Sequence, residues 1–166
     1  MDIINHSINW CKGEIFEGKM SLLFGAIILV VSLAYWKFGS TDAAKAIFFP
    51  LLTVAIFTLG TGYYLVSTNT KRIPQFQEQY DENPSHFIKA EKERTEAFLK
   101  WYPYTQYIMI GIMIAGMLCM ILTHKLIVRA IGIALMLTAF YTFVLDHFSE
   151  ERANEYHNKI VEQVDQ

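Results

Sequence analysis

Long uninterrupted apolar runs, separated by short polar stretches, dominate the chain. Four stand out: Met20 to Trp36, the uncharged residues 46 to 70, Trp101 to Thr123, and Ala130 to Leu145. A bilayer core is about 30 Å thick and an α-helix rises about 1.5 Å per residue, so roughly 20 apolar residues suffice to cross it. The runs therefore predict four transmembrane helices, over about 20–37, 46–67, 104–123 and 126–145. Lys19, Lys37 and Arg129 stand at span ends, where a long side chain reaches water, and Tyr35, Trp36, Trp101, Tyr102 and Tyr104 supply interfacial rings. The links FGSTDAA and THK are so short that the spans should pair as two antiparallel hairpins.

Outside the spans the periodicity predicts three further pieces. In residues 1–18, Ile3, Ile4, Ile8, Cys11 and Ile15 recur at helical spacing opposite Asp2, Asn5, Lys12 and Glu14, with Trp10 and Phe16 as anchors. That pattern fits an N-terminal amphipathic helix lying in the membrane interface, or docked on the bundle. Residues 68–103 form a cytoplasmic arm in which Pro74 should end any extension of the second span, and Asn83-Pro84 reads as a cap followed by a proline at the first helical position. The stretch HFIKAEKERTEAFLKW then pairs Lys89 with Glu93, Lys92 with Glu96 and Glu96 with Lys100 at i,i+4 spacing. It is polar around most of its circumference and is expected to project as a solvated arm until Pro103.

In the tail, residues 146–166, no proline or glycine interrupts a stripe of Phe148, Tyr156, Ile160 and Val164. The fourth span should thus continue as one helix from Leu126 to Val164, about 58 Å long. The stripe needs cover, either from the arm or from a second copy of the chain. With four spans in so short a chain, no separate soluble core is expected. The class is all-α membrane protein: a four-helix transmembrane domain over 19–145 with a helical arm and a helical tail.

Charge orients this bundle. Lys12, Lys19, Lys71, Arg72, Lys89, Lys92, Arg94, Lys100, Arg152 and Lys159 fall on the side of both termini and the central loop, against Lys37, Lys45, Lys125 and Arg129 on the other. The positive-inside rule then places both termini in the cytoplasm. The opening MDIINHSINW has an acid and no basic segment, so it does not read as a removable signal peptide. Cys11 and Cys119 lie at different depths, and no disulfide is expected.

The chemistry begins from an absence. Apart from Lys37 at the very end of the first, spans one to three carry no Asp, Glu, Lys, Arg or His, and the fourth has only Arg129, which argues against ion coupling, a proton relay or a span-held haem. Small residues (Gly111 with Ala115, Ala130 with Ala134, Gly25 with Ala26, Gly60 with Gly62) suit close helix packing. Gly111 and Ala115, with the tail stripe, are the expected oligomer interface. The hydroxyls of Ser32, Thr53, Thr58, Thr61, Thr138, Tyr141 and Thr142 either line a neutral polar path or bond backbone carbonyls. Near Asp146, the set His147, Glu150 and Glu151 offers metal-ligand spacing, but carboxylates just beyond a span are ordinarily solvated, and no metal or cofactor is assigned.

Arg152 and His157 are separated as in the Arg-x4-6-His signature of HEPN-type ribonucleases. On a straight helix five residues turn about 140°, so the pair would not face one substrate. Six acids accompany Arg152 and Lys159 in the tail, which repels phosphate. RANEYH following a hydrophobic region resembles the small membrane accessory proteins encoded beside type VI-B CRISPR RNA-targeting nucleases, one branch of which carries a divergent HEPN motif. The resemblance implies a homo-oligomeric pore in the inner membrane, engaged when an RNA-guided nuclease recognises phage RNA, with Arg152 and His157 the only residues carried over. The expected function is a homo-oligomeric, channel-like accessory protein in antiphage defence, not an enzyme. Its expected partners are its own copies, lipid and an RNA-guided CRISPR nuclease, and not DNA. The alternatives are a four-span immunity or regulatory protein that binds a toxin or another membrane protein, and a tail-mediated HEPN-like ribonuclease.

Overall fold

The computed structural model describes residues 3–164, with the side chain of Val164 outside that description. The chain forms α1 (Ile3–Phe38), α2 (Asp42–Glu82), α3 (Pro84–Leu99), α4 (Tyr102–Ile121) and α5 (Leu126–Val164), and no strand occurs among the described residues. Four stretches are long and apolar enough to cross a membrane: α1, α2, the run through α3 and α4, and α5. Local chemistry explains the breaks. Thr41 caps α2 by accepting from Ala44 N at 3.2 Å. Asn83 closes α2 and caps α3, accepting from His86 N at 3.0 Å with Pro84 as the first helical residue. Pro103 sits in the first turn of α4, where a missing N–H costs nothing.

Along the helices apolar enough to cross a membrane the usual pattern is inverted. The buried face of α1 carries Ser21, Gly25 and Ser32, while Leu23, Ile27 and Val30 point outward. A Cβ on Gly18 would lie 2.9 Å from Gly62 O, and one on Gly62 would lie 2.7 Å from Gly18 O. Further along, Gly25 abuts Thr58 and Leu59, and Ser32 donates to Phe48 O at 2.9 Å. Contacts thus climb α1 as they descend α2. Gly116 of α4 and Gly132 of α5 approach in the same manner, each leaving under 3 Å between a notional Cβ and the other's carbonyl.

Two hydrophobic cores result. Ile28, Leu51, Val54, Ala55 and Ala134 form the span core. Ile3, Trp10, Cys11, Phe76, Phe87, Tyr156 and Ile160 form a second one, and every member lies outside the expected spans. The expectation excluded a separate soluble domain and did not foresee a core built from the ends of the long helices. The overrun ends of α1, α2 and α5 wall it, and α3 closes it, so it needs no chain segment of its own.

Three local expectations change for the same reason. Residues 3–18 are the first half of the continuous α1 and not a separate interfacial helix, and their Ile3 and Cys11 are fully buried. Pro74 does not end α2, which contains it and continues to Glu82. An internal proline costs about 3 kcal/mol, and burying Phe76 with its neighbour Ile73 offsets it. The arm does not project as a solvated strut: Phe87, Glu91 and Thr95 of α3 are buried, with Phe87 packed edge-on against Phe76 and Tyr80. Tyr156 and Ile160 are consequently covered inside one chain, so these two stripe positions need no second copy, while Phe148 stays half exposed.

Candidate functional site

Polar side chains gather where the span core gives way to the second core. Glu14 and Glu17 lie one turn apart on the buried face of α1. Arg152 of α5 reaches across, its terminal nitrogen 3.2 Å from Glu14 Oε1 and 2.6 Å from Glu17 Oε1. Gly13 makes the approach possible, since a Cβ there would meet Arg152 Nε at 2.6 Å. Ser149 Oγ donates to Glu14 Oε1 at 3.1 Å and sits 2.9 Å from the Tyr102 hydroxyl of α4. One turn deeper, the Tyr141 hydroxyl donates to Ser21. Three helices are therefore tied by side chains alone.

The charges in this junction do not balance. Glu14 and Glu17 share a single arginine, with Asp146 near enough to act on Glu17, and Glu17 Oε2 has no hydrogen-bond partner while Oε1 is held by Arg152 alone. Asp146 Oδ2 and Arg152 Nε are likewise buried without a hydrogen-bond partner. Burial pushes the Glu17 carboxyl up to about 7 against the lowering pull of Arg152, and Glu14 and Asp146 push it the same way as burial. Burial also raises Asp146, which Thr105 partly counters.

A second network staples α3 to the bundle. Arg94 donates twice to Glu91, at 2.8 and 2.6 Å, and the Tyr156 hydroxyl donates to Glu91 Oε2 at 2.7 Å while lying 2.7 Å from Ser7 Oγ. The Arg94 guanidinium stands 4.6 Å from the Trp10 ring centre, and Trp10 itself stacks between Phe98 and Tyr156. Burial pushes the Cys11 thiol up to about 12, which leaves it without thiolate character.

The candidate pair from the tail is not brought together. Arg152 turns to α1, whereas His157 Nδ1 lies 2.7 Å from Thr95 Oγ1 of α3. His147 is exposed against Phe148, Glu150 accepts from Gln106 Nε2 at 2.7 Å, and Glu151 is exposed. Among the described residues no three His, Cys, Asp or Glu side chains gather to hold a metal. Ser32, Thr53, Thr58, Thr61 and Thr138 each donate to a main-chain carbonyl, as the second of the two readings of the hydroxyls requires. A Cβ on Gly111 would meet nothing within 4 Å, and Ala115 is exposed.

Glu17, Glu91 and Arg94 were not singled out by sequence, and Glu14, expected on the polar face, is buried on the same face as Cys11 because Arg152 and Ser149 meet it there. A signal for Glu14 and Glu17 exists: Ser7, Glu14, Glu17, Ser21, Gly25 and Ser32 recur in steps of three, four or seven, a stripe that apolar periodicity ignores. Glu91 and Arg94 look like any charged pair on a polar helix. The chain matches no family, no curated protein and no solved structure.

Proposed function

We propose that the chain is a non-enzymatic, four-span protein of the bacterial inner membrane that works as a homo-oligomeric, channel-like accessory protein. Its spans form two antiparallel hairpins, with both termini and the second core in the cytoplasm. The observation that carries the oligomer is α4: of its 20 residues only Gly116 is buried, and Gly111 and Ala115 stand on an open face suited to another helix. The non-enzymatic reading is supported by Arg152 and His157, each bonded to a different helix with no shared space for a substrate. A path for solutes would form between copies, since the hydroxyl donors within one copy are bound to its own backbone.

Native mass spectrometry in detergent, paired with dye efflux from vesicles, tests this reading. Multi-subunit assemblies that leak dye are expected. A monomer in tight vesicles overturns it and leaves the immunity or regulatory role. The resemblance to type VI-B accessory proteins supports a role in antiphage defence beside an RNA-guided nuclease. Phage plating with and without the chain, the nuclease being co-expressed, checks that part: equal plaque counts would remove it.

A further inference from the structure

An apolar groove of about 560 Å³ runs between α1 and α5, walled by Met20, Phe24, Phe140 and Val144 and closed at one end by Glu17 and Arg152. Beyond Arg152 lies a cleft of about 300 Å³ with a more polar lining, His6, Asn9 and Glu155 beside Trp10 and Tyr156. Arg152 lines both. One side chain thus stands between an apolar space along the long helices and a polar one beside the second core.

The parts that hold this wall can let it go. Arg152 passes through the notch left by Gly13 and is caught by Glu17 at 2.6 Å and Glu14 at 3.2 Å, while its own Nε has no hydrogen-bond partner. Around Glu17 stand Glu14 of its own helix, Arg152, Asp146 and Tyr141 of α5, and Tyr102 of α4. From α2, Gly62, Leu65 and Val66 meet the adjoining Gly18, and none of them carries charge. Arg72 and Arg94 stand over the Trp10 ring, and Arg94 is already paired with Glu91. A carboxylate so placed, with two acids against one arginine and its Oε2 unbonded, is relieved by keeping a proton or by gaining water. Water reaches it only when the wall moves, since both oxygens are shielded from groove and cleft alike.

We propose that Arg152 is a proton-held gate between the groove and the cleft, shut while Glu17 carries its proton and drawn aside when Glu17 loses it, so that the two spaces join along α5. With the gate shut the Glu17 carboxyl stands at about 7, and with the gate open and the carboxyl hydrated it returns toward its ordinary 4.5. The shut state binds the proton more tightly, so rising pH favours the open one, by about tenfold in the open-to-shut ratio between pH 6 and 8. The gate rests on the proposed membrane setting, in which lipid keeps water from entering the groove sideways, and not on the oligomer.

The test is the reaction of a charged, membrane-impermeant thiol reagent with a cysteine in the groove, Val144→Cys, in the full chain reconstituted into lipid vesicles with Cys119→Ala as background. Each rate is divided by that of Asn154→Cys, exposed on α5, at the same pH, which removes the ordinary pH dependence of thiols. The ratio should rise about tenfold from pH 6 to 8 with Glu17 in place. With Glu17→Gln it should stay low and level. Gly13→Ala, whose new Cβ has the flexible end of Arg152 as its nearest neighbour, should fold and give a high ratio already at pH 6. A level ratio with Glu17 in place, the same rise with Glu17→Gln, or a folded Gly13→Ala chain no faster at pH 6 overturns the gate. Leu23→Cys, exposed on the outward face of α1, reports the membrane setting separately. It should stay unlabelled, and if it reacts as fast as Asn154→Cys the setting fails and the gate fails with it.

Discussion

Arg152 is the cation on which two buried carboxylates depend, and its removal should be felt more than that of His157. Arg152→Ala leaves Glu14 and Glu17 unpaired and is expected to cost about 3–5 kcal/mol, whereas His157→Ala forfeits one hydrogen bond to Thr95, about 1 kcal/mol. Arg152→Lys should recover part of the loss, since it keeps the charge but not the fork. Thermal melts of the three variants measure this order, and an RNA cleavage assay beside them checks the catalytic alternative. Cleavage by the wild type that both alanine variants abolish at unchanged stability would restore that alternative. Glu17 sets a pH dependence. Its carboxyl is raised from 4.5 to about 7, so the folded chain keeps a proton that the unfolded chain releases between those values. Stability should therefore fall as pH rises through that window, by an amount on the order of 3 kcal/mol complete above about pH 7. Glu14, Asp146 and Arg152 face the same carboxyl and are included in that shift. Melts at pH 5, 6, 7 and 8 should show the decline, and Glu17→Gln should flatten it. None of this was legible beforehand, because a Glu one turn before a span reads as solvated until a partner helix is placed beside it.

At the scale of elements, the helices and most of their boundaries were readable, and the faces they bury were not. Cap chemistry announced α3 at Asn83-Pro84, and the short links announced the neighbours α1 with α2 and α4 with α5. Apolar periodicity finds an inside only where the outside is water. Along helices apolar enough to cross a membrane both faces are apolar, and small residues mark the contact instead, as Gly18, Gly62, Gly116 and Gly132 do. Gly62→Ala should push α1 from α2, because its Cβ meets main-chain atoms of Gly18 and Leu22, and destabilise by about 1–3 kcal/mol. Gly60→Ala, which meets nothing within 4 Å, should be neutral or mildly stabilising through helix propensity. Denaturant titration in mixed micelles compares the two, and equal effects would contradict the close approach. Pro74 misled for an energetic reason: a local penalty of a few kcal/mol is outweighed when the residues around it enter a core.

For the whole molecule, the basic residues still argue for cytoplasmic termini, and reporter fusions after Gln166 should give fluorescence without phosphatase activity. The opposite pattern would reverse the bundle. Oligomer formation is now to be sought on α4 and not at Tyr156 and Ile160. Gly111→Leu and Ala115→Leu should reduce subunit number in native mass spectrometry without lowering the melting temperature. Ile160→Glu should instead unfold the second core, since Ile160 is fully buried within one copy. The existence of that core could not be inferred from length, because its walls are the prolonged ends of the long apolar helices.

The membership of the second core also dictates an order of events during synthesis. Its residues are contributed near the start of the chain, from the middle, and from the last helix: Ile3 and Trp10, then Phe76 and Phe87, then Tyr156 and Ile160. A nascent chain stopped at Leu145 would already possess every span, yet Trp10, Phe76 and Phe87 would wait with their apolar faces uncovered until residues 146–160 emerged from the ribosome. That interval is when the chain is most open to a holding chaperone or to proteolysis. A version ending at Leu145 should enter the membrane as well as the full chain and then disappear faster, a difference that pulse-chase labelling reads directly.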